Sequence, residues 1–203
     1  MLPEITTALP LLGLTAVAAY LLGSVPFGIV MARMFGLGDL RQVGSGNIGA
    51  TNVLRTGNKL AAFLTLLGDA GKGGAAVLLA RAALGEDAAQ LAGFAAFLGH
   101  CFPVFLRFKG GKGVATFLGT LLALSFPIGL AACATWVVIA AVFRISSLAA
   151  LVAAALSPMA ATLLGAPQAM ALCVALAFLI GLRHHENINR LLKGSEPMIG
   201  KKG

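Results

Sequence analysis

The sequence predicts an all-α polytopic membrane protein of about seven transmembrane helices, two of them short, with the N-terminus outside and the C-terminal tail cytoplasmic. Three observations carry this. Of 203 residues, 59% are hydrophobic and only 11% charged, and the mean hydropathy is +0.93. A soluble chain is about 45–50% apolar and roughly 25% charged, so this one has too few polar side chains to face water. Long uncharged runs recur at the length of about 20 residues that a bilayer span requires. Twelve of the fifteen Lys and Arg residues fall between or beyond these runs, and a thirteenth, Arg33, stands at the very end of the first.

The first run, 5–34, carries no charge before Arg33 and lacks the basic leader of a cleaved signal peptide, so it is expected to remain as a span. The second, 60–84, is interrupted by Asp69 and Lys72; the third is 88–106. The stretch 114–143 has no charge over thirty residues, with Pro127 in its middle. It is long for one helix and short for two. Runs at 146–164 and 167–182 complete the series.

Cytoplasmic loops collect Lys and Arg. Arg33, Arg41, Arg55 and Lys59 surround the first long loop, and Arg107, Lys109 and Lys112 sit in the second. Arg144 stands alone, and Arg183, Arg190, Lys193, Lys201 and Lys202 fill the tail. Placing all four groups inside puts the N-terminus outside. Parity then requires 114–143 to enter and leave on one side, as two short helices turning near Pro127. The net charge of +8 is used in orienting the chain, so it no longer argues for nucleic acid. No internal repeat or composition shift divides the chain, which is expected to be one integral-membrane domain, 1–203. Cys101, Cys133 and Cys173 have no paired spacing, so neither a disulfide framework nor a metal site is expected. No cofactor is called for.

Polar residues are scarce, so their clustering is informative. The first loop reads GSGNIGATNVLRTGNK, 44–59. Gly44, Gly46, Gly49 and Gly57 permit close backbone approach, while Ser45, Asn47, Thr51 and Asn52 supply uncharged hydrogen bonds. Such a loop can aim amides at an anion, and Arg55 adds a planar cation suited to phosphate. A tight turn capped by Asn and Ser is the plainer alternative. The second loop, RFKGGKGVAT at 107–116, interleaves cations with glycines before a helix expected to start near Val114. It follows the logic of a phosphate loop without the nucleotide pattern, because Gly113 and not Ser or Thr follows Lys112. A positive-inside anchor would explain its lysines but not the glycines between them. In the third segment, RHHENINRLL at 183–192, His184, Asn187 and Arg190 recur every three residues and share a helical face. They suit a proton acceptor, an orienting amide and an anion clamp; the plainer alternative is a capping or interfacial histidine. Asp69 lies about 14 Å along a helix begun at Leu60 and needs a partner in the membrane, most economically Lys72; the alternative is a polar vestibule opened there by Gly68, Gly71, Gly73 and Gly74. His100 has no evident local partner and is expected to be structural.

Together, GSGNIGATNVLR, FPVFLRFKGGKGVAT and RHHENINRLL followed by 194–196 resemble the bacterial integral-membrane acyl-phosphate-dependent glycerol-3-phosphate acyltransferase family, across essentially the whole chain. The resemblance implies an inner (plasma) membrane enzyme with its active site on the cytoplasmic face. It would move a fatty acyl group from acyl phosphate to the 1-hydroxyl of sn-glycerol 3-phosphate, giving lysophosphatidic acid and phosphate in the first acylation step of phospholipid synthesis. The implied partners are these two substrates, the lipid bilayer and the upstream acyl-phosphate-forming enzyme. By the same likeness Ser45, Arg55, His184 and Asn187 carry catalysis. Gly44, Ser45, Gly46, Asn47, Gly49, Thr51 and Asn52 would hold acyl phosphate, and Lys109, Gly110, Gly111, Lys112 and Gly113 would hold glycerol 3-phosphate. Glu196 matches a glutamate that is structural in the family.

Acyltransferases that use acyl-CoA or acyl carrier protein carry a His with an Asp five positions on. Here Phe105, Asn189 and Arg190 stand five after His100, His184 and His185, which favours a different donor. A transporter for a small phosphorylated solute is the competing class, but such proteins tend to bind at the bilayer midplane between repeated halves. The polar motifs here gather at one face.

Overall fold

The computed structural model describes residues 2–200. Lys201 and Lys202, counted in the basic tail, lie outside the described residues. Among those described there are ten α-helices and no strand. The first apolar run is broken in two, α1 (Leu9–Gly23) and α2 (Phe27–Met34), because Pro26 has no amide to continue the ladder. A five-residue α3 (Ala50–Leu54) lies in the first loop. Asn58 caps α4 (Lys59–Leu84) by accepting the Ala61 amide at 2.9 Å, and Gly85, at φ 109°, turns the chain into α5 (Glu86–Cys101).

The ambiguous stretch divides at Ser125 into α6 (Val114–Leu124) and α7 (Phe126–Phe143). The break next to Pro127 agrees with expectation, but only α6 is short: it has 11 residues and α7 has 18. The reason is where α6 begins. Its first turn is anchored beside Asp69, whose carbonyl accepts the Thr116 hydroxyl at 2.9 Å. Asp69 is ten residues into α4, so α6 starts about 15 Å inside the protein and has less to cross. Its C-terminus is capped by Arg81, which donates to the Ala123 and Leu124 carbonyls at 2.7 and 2.8 Å. The chain continues through α8 (Ser146–Leu163), α9 (Met170–Arg183) and α10 (His185–Leu192), the last bent by 66° from the helix before it. Five helical segments are long and apolar enough to cross a bilayer, or six when α9 with α10 is counted as one bent span. The 11-residue α6 falls short of that length.

Small residues allow these helices to touch by their backbones. A Cβ on Gly23 would strike the Ala96 backbone, and one on Gly99 would strike Tyr20, so α1 and α5 cross in direct contact. Gly119 packs likewise on Ala70 of α4. Phe97, Phe117, Leu121, Ile128, Leu176 and Ile180 are fully buried in the core shared by α5, α6, α7 and α9. Leu14, Leu67, Leu79, Val138 and Phe178 are exposed, as a bilayer-facing surface requires.

Candidate active site

All four basic segments converge at one end, around a cavity of about 730 Å³. The first loop contributes Gly44, Ser45, Asn47, Gly49, Thr51 and Arg55 to its wall, the second Lys112 and Gly113, and the chain around α10 His184, Asn187 and Arg190. The structure thus brings together the four residues expected to carry catalysis. Gly46, Asn52, Lys109, Gly110 and Gly111 do not line the cavity.

Asn52 is buried and organises the first loop from behind. Its amide nitrogen donates to the Leu40 and Asn47 carbonyls at 2.8 and 2.7 Å, and its oxygen accepts from the Ser45 amide at 3.2 Å. The same oxygen receives the Ser45 hydroxyl and the Arg55 guanidinium, both at 3.4 Å. Gly44, at φ 51°, passes close over both: a Cβ there would lie 2.6 Å from the Arg55 side chain and 2.8 Å from the Asn52 oxygen. Asn52 is therefore a scaffold for Ser45 and Arg55 and not itself a contact to an anion in the cavity. The Ser45 hydroxyl faces an amide oxygen and not an imidazole, which leaves it unactivated as a nucleophile.

The second loop differs from expectation in a similar way. The Gly110 and Gly111 amides are spent on the Cys101 and His100 carbonyls at 3.2 and 3.1 Å, so they do not form an anion nest. Their lack of side chains serves packing: a Cβ on Gly111 would strike the His100 imidazole, and one on Gly110 the His100 carbonyl. Arg183 ties this loop down by donating to the Gly110 and Gly111 carbonyls, both at 3.1 Å. Lys109 is exposed, and its carbonyl takes a hydrogen bond from Arg41 at 3.1 Å. Lys112, Gly113 and the first turn of α6 remain facing the cavity, a helix N-terminus beside an ammonium. Burial, with Arg190 as the next cause, lowers the Lys112 pKa.

At the junction of α9 and α10, His184 is buried at 3% exposure with Nδ1 2.8 Å from the Ile180 carbonyl. A carbonyl only accepts, so Nδ1 carries the proton and Nε2 is left as a lone-pair acceptor. Burial pushes the imidazole pKa down to about 4, which keeps it neutral at pH 7. Lys112 donates to the Asn187 oxygen, while the Asn187 nitrogen donates to Glu196 at 2.5 Å. Glu196 also accepts from Ser147 and Arg190, each at 2.7 Å. Burial raises its pKa, but these three hydrogen bonds outweigh it and hold the carboxyl below its ordinary value. Glu196 joins the start of α8, α10 and the tail.

At the floor lies Asp69, paired 2.8 Å away with Lys72 behind it, both almost wholly buried. His100, without a partner nearby in sequence, finds one across the bundle: its Nδ1 is 3.4 Å from the same Asp69 oxygen, and both residues line the cavity. Leu66, Leu118, Cys133, Trp136 and Val137 form an apolar wall beside this polar end. Among the described residues no three metal-ligating side chains converge. Ser147, Arg183 and the Asp69–His100 pairing were not singled out as site features from sequence. Only the interruption of an apolar run by Asp69 gave any signal.

The family model described as glycerol-3-phosphate acyltransferase matches residues 13–194. A glycerol-3-phosphate acyltransferase of Jannaschia sp. is 79% identical over 201 residues, 99% of each chain. One from Cereibacter sphaeroides is 65% identical over 99% of this chain and 96% of its own. The crystal structure of PlsY (YgiH), an integral membrane glycerol 3-phosphate acyltransferase in its glycerol 3-phosphate form, superposes with a TM-score of 0.88 at 41% identity, covering 93% of this chain and 96% of that one. Its lysophosphatidic acid form gives 0.85 at 38% identity, covering 93% and 95%. With these matches spanning nearly the whole chain, and the three loops meeting around one cavity, this protein belongs to the glycerol-3-phosphate acyltransferase family of integral membrane proteins.

Proposed function

We propose that this chain, as a single membrane domain 1–203, transfers a fatty acyl group from acyl phosphate to the 1-hydroxyl of sn-glycerol 3-phosphate, releasing phosphate and lysophosphatidic acid. The observation that carries this is the make-up of one cavity, whose lining combines cations and a helix N-terminus, an apolar wall and a neutral imidazole. Two phosphorylated substrates, one with a long acyl tail, need such a combination.

Acyl phosphate is already activated, so positioning, charge neutralisation and proton removal are what remain to be supplied. Arg55 and the Ser45 hydroxyl on their Asn52 scaffold suit the donor phosphate. Lys112, Gly113 and the first turn of α6 suit glycerol 3-phosphate. The 1-hydroxyl oxygen attacks the acyl carbon, its proton passes to His184 Nε2, and the bond to the phosphate oxygen breaks. The released phosphate then takes up the proton. Burial keeps His184 in its base form but weakens it as a base. A phosphate dianion bound beside it raises the pKa again.

The four basic segments share the cavity end, which supports a cytoplasmic opening in a bacterial inner membrane, with the N-terminus outside. The upstream acyl-phosphate-forming enzyme is then the natural partner on that side. Purified protein supplied with acyl phosphate and glycerol 3-phosphate is expected to release phosphate and form lysophosphatidic acid in equal amounts. Absence of both products, with counterflow of a phosphorylated solute in vesicles, would establish transport instead.

A further inference from the structure

The polar wall of the cavity is dominated by donors, yet glycerol 3-phosphate carries two hydroxyls that must themselves donate. Holding both requires two acceptors with free lone pairs. His184 Nε2 is one. Of the two carboxylates that line the cavity, Glu196 is committed at both oxygens, Oε1 to Ser147 and Asn187 and Oε2 to Arg190. Asp69 is not. Its Oδ1 takes the Lys72 ammonium at 2.8 Å and faces His100 at 3.4 Å, whereas Oδ2 has no hydrogen-bond partner among the described residues.

Asp69 is 2% exposed, and the little surface it has belongs to the cavity. Its orientation is fixed from three sides. Lys72 is itself held by the Val25 carbonyl at 2.8 Å, His100 sits against Gly111, and the Asp69 carbonyl accepts the Thr116 hydroxyl in the first turn of α6. The carboxylate therefore stands level with the helix N-terminus proposed for the phosphate of glycerol 3-phosphate. A buried ion pair is costly in a bilayer and contributes little net stability compared with apolar packing. Its place on a cavity floor gives it a different use.

The geometry points to Asp69 Oδ2 as the acceptor that holds the 2-hydroxyl of glycerol 3-phosphate. Lys72 and His100 are the positioning residues that present it. The site then selects a vicinal diol phosphate over a phosphorylated mono-alcohol, and the 2-hydroxyl is kept from acylation by being tied down while the 1-hydroxyl faces His184. This inference rests on the acyl-transfer function proposed above.

The test compares three acceptors with the wild-type protein: glycerol 3-phosphate, 3-hydroxypropyl phosphate, which lacks the 2-hydroxyl, and 2-fluoro-3-hydroxypropyl phosphate, whose fluorine cannot donate and is repelled by a carboxylate. The expected order of kcat/KM is glycerol 3-phosphate, then the deoxy compound about 10- to 100-fold lower, then the fluoro compound. A fluoro acceptor used as well as or better than the deoxy one overturns the assignment, as does equal use of all three. In Asp69→Leu paired with Lys72→Met, which removes the acceptor and both charges together, the ratio between glycerol 3-phosphate and the deoxy acceptor is expected to collapse toward one. Retention of the wild-type ratio in that variant, whatever its total activity, overturns it too. A wild type inert with every acceptor defeats the acyl-transfer function itself, whereas turnover without discrimination defeats this assignment alone.

Discussion

Lys112 and Asn187, 75 residues apart in sequence, meet in a hydrogen bond from the ammonium to the amide oxygen. Asn187 can offer that oxygen because its nitrogen is fixed by Glu196 on the other side. The pair thereby links the glycine-rich second loop to α10, and orients the lysine proposed to meet the phosphate of glycerol 3-phosphate. Asn187→Leu is expected to lower kcat/KM for glycerol 3-phosphate by about 10- to 100-fold, mainly through KM, because Lys112 loses its aim and Glu196 one donor. Steady-state kinetics over a range of glycerol 3-phosphate checks it. A change confined to the apparent KM for acyl phosphate would contradict the role given to Lys112.

His184→Ala is expected to lower kcat by about 100-fold or more while leaving KM for both substrates within a few-fold, since general-base catalysis contributes roughly that much. Near-normal kcat would assign proton removal to a substrate phosphate.

The same histidine makes stability depend on pH. Its pKa in the folded protein is pushed down to about 4 from an ordinary 6.5, so the unfolded chain binds its proton first. Its contribution is complete above pH 6.5 and is lost as pH falls through 4, by on the order of 3 kcal/mol. Glu196, also lowered, adds its own loss only below the ordinary carboxylate range. Thermal unfolding in detergent between pH 7 and 5 is expected to show a falling Tm that His184→Gln flattens.

Gly111→Ala would drive a methyl group into the His100 imidazole, whereas a Cβ on Gly71 meets nothing within 4 Å. The first variant is expected to cost about 1–3 kcal/mol and most of the activity, and Gly71→Ala to be close to neutral. Detergent melting curves and initial rates on the two variants provide the comparison.

Leu118 and Cys133 lie on the apolar wall with Trp136. If that wall receives the acyl tail, Leu118→Trp fills part of its volume and shifts preference toward shorter acyl phosphates. Competition between donors of different chain length measures this, and an unchanged preference places the tail elsewhere.

The three loop motifs were legible because a membrane protein has few polar residues, and those it clusters are seldom there for solvation. Ser45, Arg55, Lys112, His184 and Asn187 could be named from sequence for that reason. What each glycine does was not legible. Gly110 and Gly111 carry the composition of an anion nest, yet they are small because His100 packs on them, a fact that depends on a contact between α5 and the loop beyond it. Asn52 reads like a ligand and acts as a scaffold, since its carbonyl and amide are both consumed by neighbouring backbone.

By itself the sequence determined that the chain lives in lipid, that its helices pack closely, and which three segments carry the clustered polar residues that line the cavity. Those are consequences of composition and of local spacing, which need no knowledge of neighbours. Only the tertiary structure decided that, of the two helices in 114–143, α6 alone is short, because its length follows from the depth at which Asp69 anchors its first turn. It alone brought His100 to Asp69 and Ser147 to Glu196, 31 and 49 residues apart. Hydrogen bonds between helices are set by which faces meet in the bundle, and no periodicity along a single helix encodes that.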